Sequence, residues 1–371
     1  MIRMIEGFDT KQILTGEGKW TGAWVNPDFP SLAPQFYSGR FTGSSIGGTR
    51  QCPYLQVLPT EVPSKWIIGA AVFAYDSAFP LPIIGIRSSN TNNFDVVVCT
   101  QHGMLFVVLN ATYQATSSGT NDDVGGILNP QSDWHYRDLD PILLPSRWVY
   151  VELEVDMRTD DTGSFKVYLD EEKWIERNGI RTVYGYGDIV QIGSNFVWCT
   201  DNTYAPIHID DVYICDGVGT AYNKPLGDVY VATSLPIADG TDQGWASNTG
   251  GAAYLAVDDP EAHDGDATYI YSDIDGAAQS FKMSPVEIPQ PLAVQVTAVA
   301  SKLRLAAGWI GLYMRQELKD VKTSMFKVTR GYKAYSTIWT KTPYGTQFSS
   351  HDLNEIEFGV YAKVETMVEN Q

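Results

Sequence analysis

The sequence predicts an all-β protein. Short runs rich in aromatic and β-branched residues are separated by clusters of Gly, Pro, Asn, Asp and Ser, and the 371 residues include 33 glycines and 19 prolines. No long window carries apolar residues at helical spacing. The segment from Leu292 to Leu305 alternates apolar with polar or small residues, so it predicts a strand. Because the chain is long for one sandwich, we predict two domains, residues 1–222 and 223–371.

The predicted boundary lies in the stretch from Pro206 to Leu235. Its first part alternates apolar and polar residues, and the phase slips at Asp210 and Asp211 as it does at a β-bulge. Pro225 then interrupts the pattern, and Leu226 to Val231 predicts a new strand. We interpret the stretch as the last strand of one sandwich followed by the first strand of another.

The clearest hairpin joins Trp148–Asp156 to Phe165–Asp170 through the turn Asp160–Gly163. Apolar residues at alternate positions of the first strand form a face for the core. The opposite face carries three carboxylates in a row, Glu152, Glu154 and Asp156. We expect these carboxylates to lie on a solvated strand face.

This hairpin resembles the central hairpin of concanavalin A-like and laminin-G-like sandwiches. The resemblance rests on Arg147-Trp-Val, on Glu152-Leu-Glu-Val, on the Gly163 turn and on Lys166-Val-Tyr-Leu-Asp. Ile209-Asp-Asp-Val-Tyr-Ile is similar to the closing strand of those domains. The resemblance implies an N-terminal concanavalin A-like jelly-roll sandwich, which we expect to be followed by a second β-sandwich.

Some glycosidases of the concanavalin fold place catalytic carboxylates on one strand as Glu-x-Asp-x-x-Glu. Retaining hydrolysis needs two carboxyl groups about 5–5.5 Å apart. Here the spacing is Glu-x-Glu-x-Asp, and Met157 occupies the position that depends on a bulge. We therefore expect no catalytic residues and no enzymatic activity, and a glycoside hydrolase or depolymerase is the weakest alternative.

The order of motifs along the whole chain resembles a group of tailed-bacteriophage virion structural proteins. These motifs are Leu226-Gly-Asp-Val-Tyr-Val, Pro236-x-x-Asp-Gly with Trp245, Asp264-Gly-Asp-Ala-Thr-Tyr-Ile-Tyr, Ile338-Trp-Thr-x-x-Pro and Asp352-Leu-Asn-x-Ile-Glu-Phe-Gly-Val. The resemblance implies a non-enzymatic component on the virion exterior: a tail fibre, a tail-tip appendage or a capsid decoration. We expect synthesis in the host cytoplasm, assembly with other virion proteins and a homo-oligomer.

The alternative function is a glycan-binding adhesin for saccharides of the host surface. The polar segment from Ala111 to Pro145 is long enough to be a binding loop, although an irregular flap that packs its own aromatic residues is the more usual structure for such a segment. Aromatic rings stack on the apolar faces of sugars. The candidate ligand-binding residues are Trp134, His135, Tyr136, Arg137, Tyr184 and Tyr186, with Trp198 as a further aromatic.

Four carboxylates near the end of the first domain form a candidate calcium site: Asp201, Asp210, Asp211 and Asp216. Laminin-G-like domains often bind calcium through such loop carboxylates, and calcium prefers oxygen ligands. Turn chemistry explains the same aspartates without a metal, since Asp is common in turns. The acidic run from Asp258 to Asp266 is open to the same two interpretations. We expect no other cofactor.

The charge of the chain excludes some partners. Asp and Glu number 44 against 26 Lys and Arg, which gives a net charge of −18. A nucleic-acid surface needs clustered Lys and Arg, so we expect no nucleic-acid partner. No basic-then-apolar leader and no membrane-spanning run is present in the sequence, and we expect no membrane insertion.

Overall fold

A computed structural model of the chain describes residues 1–9, 14–17, 19–25, 36–40, 44–47, 51–74, 81–91, 93–101, 104–117, 124–130, 135–136, 147–193, 207–259, 263–302 and 308–364. The strands from the start of the chain are β1 (Ile2–Glu6), β2 (Gly16–Glu17), β3 (Gly22–Val25), β4 (Phe36–Ser38), β5 (Ser44–Gly47), β6 (Gln51–Gln56), β7 (Lys65–Ala74), β8 (Leu81–Arg87), β9 (Phe94–Gln101), β10 (Met104–Ser117), β11 (Val124–Pro130), β12 (His135–Tyr136), β13 (Trp148–Asp156), β14 (Gly163–Leu169), β15 (Glu172–Ile180), β16 (Ile189–Ile192) and β17 (Ile207–Cys215).

The strands that follow are β18 (Pro236–Gln243), β19 (Ala246–Ser247), β20 (Ile270–Tyr271), β21 (Ala278–Met283), β22 (Val294–Ala300), β23 (Gly308–Gln316), β24 (Lys319–Lys322), β25 (Phe326–Lys327), β26 (Lys333–Trp339) and β27 (Glu357–Val364). One short helix, α1 (Ser350–Glu355), precedes the last strand, and single 3-10 turns lie at Pro59–Glu61 and Ala253–Ala256. The prediction of an all-β protein is confirmed.

The chain divides into two compact units. The first consists of Met1–Ile13 and Trp20–Val231, and the second consists of Leu14–Lys19 and Ala232–Gln371. Residues 223–231, which the sequence analysis assigns to the second domain, have their contacts within the first unit.

The first unit is a sandwich of two antiparallel sheets. In its described part, one sheet has the order β15-β14-β13-β7-β17-β5-β4, with β1 also paired to β17. The other has the order β11-β10-β9-β8-β16-β6-β3, with β12 also paired to β10. One large apolar cluster combines residues of both sheets, including Val151 and Ile209 of the first and Ile84 and Val96 of the second. Burial of this shared cluster is the main stabilising term of the sandwich.

The predicted hairpin and bulge are both present. β13 pairs with β14 in continuous antiparallel register from Val151–Leu169 to Asp156–Ser164. The register between β17 and β7 shifts between Asp210 and Tyr213, and Asp211 has a φ of 50°. A non-glycine residue in this left-handed region is uncommon and typical of a bulge.

Two sequence-based predictions in this unit need correction. The segment Leu226–Val231 is not a strand, because side chains of the sandwich accept its backbone N–H groups, as described below. The stretch from Ala111 to Pro145 is not one irregular loop, because β10 continues to Ser117 and pairs with β11.

Tyrosine–glycine pairs across adjacent strands recur in both units. Tyr213 is the direct partner of Gly69, and a Cβ atom on Gly69 would collide with the Tyr213 ring. Tyr361 has the same relation to Gly311 in the second unit. The missing side chain therefore makes room for a ring to lie against the neighbouring strand, a known way of packing glycine in a sheet.

The second unit is also a β-sandwich. In its described part, one sheet has the order β18-β21-β27-β23-β24, with β25 also paired to β23, and another has the order β2-β26-β22. Ile310 and Val360 of the larger sheet share an apolar cluster with Tyr335 and Val296 of the smaller. The strand predicted within Leu292–Leu305 is confirmed as β22.

The second unit also contains short helical elements. Residues Ala253–Ala256 form a single 3-10 turn with Ala253 and Ala256 buried. Helix α1 begins with a capping box in which Ser349 and Asp352 satisfy each other's backbone N–H groups. No helix in the described ranges is long and apolar enough to cross a membrane.

Candidate functional site

The outer face of the hairpin sheet carries buried carboxylates. A solvated row of carboxylates is expected here from the alternation of the sequence, and that expectation is wrong for two of the three. Glu152 is 1% exposed and Glu154 is 6% exposed. A buried carboxylate is costly unless hydrogen-bond donors or cations surround it. The contacts of these two groups therefore define what the face does.

Glu152 holds a segment that we call the strap, residues 217–231. The backbone N–H of Gly227 donates to Oε1 of Glu152 at 2.9 Å. The hydroxyl of Tyr213 also donates to Glu152, and the same hydroxyl accepts from the N–H of Leu226 at 3.0 Å. Burial raises the pKa of Glu152, and the hydrogen bonds from Tyr213 and the strap oppose that rise.

Asp211 holds the end of the strap. Its Oδ1 accepts from the N–H of Val231 at 2.8 Å, and its backbone oxygen accepts from the Tyr150 hydroxyl at 2.9 Å. Arg40 adds a bidentate ion pair with Asp228 of the strap, and its guanidinium lies 5.6 Å from the centroid of the Tyr150 ring. The strap is therefore anchored by polar side chains rather than by a strand ladder.

Asp210 and Asp211 form a buried acidic pair at the bulge. Asp210 accepts from the N–H groups of Arg40 at 2.9 Å and of Asp211 at 2.8 Å. Burial raises the pKa of Asp210 to about 8, and the neighbouring charge of Asp211 contributes to the rise. Burial likewise raises the pKa of Asp211 to about 6, against the opposing effects of Val231 and Arg40.

The rest of the carboxylate row is paired with cations and hydroxyl groups. Lys65 Nζ lies 2.5 Å from Glu154 Oε1 and 3.5 Å from Asp156 Oδ1. Lys166 Nζ lies 3.6 Å from Glu154 Oε2, and Ser164 donates to Asp156 at 2.7 Å. This arrangement neutralises the row within the protein and suits a structural role.

The predicted calcium ligands do not share one set of contacts. Asp216 binds Arg3 at 2.6 Å and accepts from the N–H of Val218 at 2.9 Å, whereas Asp210 and Asp211 bind the groups named above. Asp201 lies outside the described residues. Within the described ranges, no group of three or more His, Cys, Asp or Glu side chains could hold a metal ion. The calcium site stays a prediction.

The predicted aromatic residues Tyr184 and Tyr186 lie in a turn that a buried aspartate fixes in place. Asp95 Oδ1 accepts from the N–H groups of Tyr184 at 2.5 Å and of Gly185 at 3.2 Å, and Ser88 donates to Asp95 Oδ2 at 2.5 Å. Burial raises the pKa of Asp95, and these hydrogen bonds oppose the rise.

The two tyrosine rings of this turn differ in accessibility. Tyr186 is 48% exposed, and its N–H donates to Asn90 Oδ1 at 3.1 Å. Tyr184 is half-buried, and the guanidinium of Arg181 lies 4.8 Å from the centroid of its ring. The turn therefore presents one accessible ring on a backbone with several fixed hydrogen bonds.

The remaining predicted ligand-binding residues cannot be placed beside this turn. Trp134, Arg137 and Trp198 lie outside the described residues. The backbones of His135 and Tyr136 form β12, which pairs with Val107 and Val108 of β10, and their side chains are outside the described set.

Asp95 and Arg40 are not among the site residues predicted from the sequence. Asp95 carries a detectable signal, because a single carboxylate inside the apolar run Phe94–Cys99 must be hydrogen-bonded if that run is buried. Arg40 carries none, since its partners Asp210 and Asp228 lie 170 and 188 residues away in the chain.

Removing the Tyr213 hydroxyl should destabilise the first unit. In Tyr213→Phe, Glu152 loses a donor and the Leu226 N–H loses its acceptor, so we expect a loss of about 1–3 kcal/mol in the free energy of unfolding. Denaturant unfolding and hydrogen exchange of the strap amides measure the effect. Tyr168→Phe is the matched control, because that half-exposed hydroxyl makes only a 3.4 Å contact with Glu154. Equal effects of both substitutions would contradict the assigned role.

The first unit should lose stability as the pH rises from about 4 to 8. Asp210 and Asp211 have raised pKa values of about 8 and about 6 in the folded chain, so the folded state binds more protons than the unfolded state across this range. The resulting slope is about 1.4 kcal/mol per pH unit for each extra proton. Asp210→Asn should reduce the slope of the free energy of unfolding against pH. The transition to follow is that of the first unit, which Tyr213→Phe identifies by shifting it. Asp161→Asn, in the exposed hairpin turn, should leave the slope unchanged; an unaltered slope in Asp210→Asn would refute the assignment.

Comparisons with known proteins find similarity at the level of structure. No protein-family model matches the chain, and no curated protein matches it. A solved endo-β-1,4-glucuronan lyase from the fungus Trichoderma reesei aligns with 58% of this chain and 95% of its own, at 11% identity and a TM-score of 0.36.

Two further solved structures align with a similar share of the chain. Domain 4 of a GH43 extracellular arabinanase from Geobacillus stearothermophilus covers 57% of this chain and 91% of its own, at 13% identity and a TM-score of 0.35. A galectin from Caenorhabditis elegans covers 52% and 96%, at 9% identity and a TM-score of 0.27. These neighbours are concanavalin A- or galectin-like β-sandwich domains. At such scores the likeness carries no information on the activity or ligand of this chain.

Proposed function

We propose that the protein is a non-enzymatic structural component on the exterior of a tailed-phage virion, as a tail fibre, tail-tip appendage or capsid decoration. The support for the virion assignment is the order of sequence motifs from Leu226 to Val360. The support for a structural role is the chemistry of the hairpin face.

The observation that supports a structural role is that Glu152 is buried and hydrogen-bonded within the chain. A general acid or nucleophile must reach its substrate, but this carboxylate is 1% exposed and accepts from Tyr213 and Gly227. Glu154 and Asp156 are similarly engaged with Lys65 and Ser164. The row of carboxylates thus stabilises the sandwich and its strap.

Assembly with other virion proteins, or with further copies of the chain, is part of the proposal. Large apolar side chains are exposed on the second unit, and such side chains are common in protein–protein contacts. Among the described residues, the exposed ones are Ile237, Leu255, Tyr271, Ile274, Leu292, Leu318, Tyr332 and Tyr344. Leu318 is fully exposed at the tip of the β23–β24 hairpin.

Imaging of phage particles tests the virion assignment. We expect density that fits both sandwiches at repeated, symmetric positions on the outside of particles, and we expect labelled antibodies against the chain to decorate intact virions. Antibodies against an internal virion protein are the control, since they should label only opened particles. Recovery of the chain solely from infected-cell lysate, and never from purified particles, would reject the assignment.

A second candidate function is glycan binding by the first unit. The observation that favours it is the turn of Tyr184 and Tyr186, where Asp95, Ser88 and Asn90 fix the backbone and one tyrosine ring is accessible. A fixed ring can stack on a sugar without a large loss of conformational entropy on binding. This function is compatible with a structural role on a virion.

Glycan binding predicts a specific effect of Tyr186→Ala. On a glycan array, the full chain should bind at least one saccharide, and the variant should lose about tenfold in affinity, the equivalent of 1.4 kcal/mol. Tyr271→Ala is the control, because Tyr271 is similarly exposed but belongs to the second unit. Absence of binding by the folded chain, or equal loss in both variants, would count against the turn as the binding site.

A further inference from the structure

The outward face of the larger sheet in the second unit carries aromatic rings and cations. Along β23, Ile310 and Leu312 point into the core, so the alternate residues Trp309, Gly311 and Tyr313 lie on the opposite face. The register places Tyr361 and Lys363 of β27, Lys322 of β24 and Lys327 of β25 on this same face. We call Trp309, Tyr361, Lys322, Lys327 and Lys363 the cationic face.

The aromatic part of the cationic face is fixed by its neighbours. Gly311 is the cross-strand partner of Tyr361, and a Cβ atom there would collide with the Tyr361 ring. The Tyr361 hydroxyl donates to the backbone oxygen of Thr323. Both Tyr361 and Trp309 are half-buried, so each ring keeps part of its surface accessible while its position is set by the sheet.

Three lysines surround these rings. Lys322 Nζ lies 5.2 Å from the centroid of the Tyr361 ring, and Lys363 Nζ lies 5.6 Å from that of Trp309. Lys327 is the direct partner of Trp309 on the other neighbouring strand. All three lysines are exposed, and in the described part of the chain none has a carboxylate within 4.0 Å.

Carboxylates of the same sheet are bound mainly by other groups. Arg315 and, more weakly, Lys322 lower the pKa of Asp320. Asp242 and Asp320 bind Arg315 at 2.7 and 2.6 Å, and Glu357 accepts from Thr241 and Ser280. In a chain with a net charge of −18, three ammonium groups that form no salt bridge within 4.0 Å among the described residues are a local reversal of charge. This reversal favours an anionic ligand.

We propose that the cationic face binds a linear anionic saccharide. The ligand's carboxylate or sulfate groups pair with Lys322, Lys327 and Lys363, while the C–H faces of its sugar rings contact Trp309 and Tyr361. A nucleic acid fits less well, because its dense charge would be repelled by the acidic remainder of the chain. The proposal depends neither on the virion assignment nor on glycan binding at Tyr186, since it concerns a different unit and different residues.

Titration of the full chain with a galacturonate hexamer, followed by calorimetry and tryptophan fluorescence, tests the proposal. We expect binding that weakens with added salt and little binding of maltohexaose, a neutral hexamer. Combining Lys322→Gln, Lys327→Gln and Lys363→Gln should lower the affinity by about tenfold or more, since charge-assisted hydrogen bonds are the stronger class. The control combines Lys224→Gln, Lys333→Gln and Lys341→Gln, which removes the same charge from other exposed positions and should leave the affinity unchanged.

Trp309→Leu separates saccharide recognition from simple charge attraction. The substitution should weaken the binding of the galacturonate hexamer. Inorganic polyphosphate should bind the wild-type chain more weakly than the galacturonate hexamer does. Near-ultraviolet circular dichroism must show a native fold for every variant. Failure of the folded wild type to bind galacturonate would overturn the proposal, as would equal losses in the two lysine triples. The proposal would also be overturned if polyphosphate bound the wild-type chain with the same affinity as galacturonate and if Trp309→Leu left the affinity for polyphosphate unchanged.

Discussion

A buried carboxylate on the outer face of a sheet must find its hydrogen-bond donors within the protein, and Glu152 imposes this condition on the first unit. Its donors are the hydroxyl of Tyr213 and the backbone N–H of Gly227. Tyr213 can reach Glu152 from β17 because Gly69, on the strand between β13 and β17, has no side chain to block the ring. One missing Cβ atom, one hydroxyl and one carboxylate therefore fix the path of the strap.

The same logic explains why the strap needs no strand ladder. Three of its N–H groups, those of Leu226, Gly227 and Val231, donate to side chains of the sandwich. Backbone groups that lie against a protein surface must be satisfied, and side-chain acceptors do this as well as a neighbouring strand does. The arrangement also costs folding free energy, because Asp211 is kept buried beside Asp210 and both have raised pKa values.

Local patterns in the sequence were sufficient to predict the hairpin of β13 and β14, the strand β22 and the bulge at Asp210 and Asp211. Each of these features depends on the alternation of neighbouring residues, which a single sequence displays directly. The segment Leu226–Val231 shows the limit of this approach. It alternates like a strand, but the acceptors for its N–H groups belong to residues 13 to 75 positions earlier in the chain. Nothing in its own composition reports them.

The prediction that the carboxylate row is exposed to solvent was wrong for a related reason. Alternation assigns Glu152 to the face opposite the core, but it cannot reveal that a later segment covers that face. The carboxylate row of the first unit and the cationic face of the second consequently differ in how their charges are paired. In the first, carboxylates are paired with cations of the same chain, as Glu154 is with Lys65. These ion pairs stabilise the folded state and are not free to bind a ligand. In the second, Lys322 and Lys363 lie beside aromatic rings and form no salt bridge within 4.0 Å among the described residues. Charges that folding leaves unpaired are the ones available to a ligand, which makes this face of the second unit a stronger site for recognition than the carboxylate row that dominates the sequence.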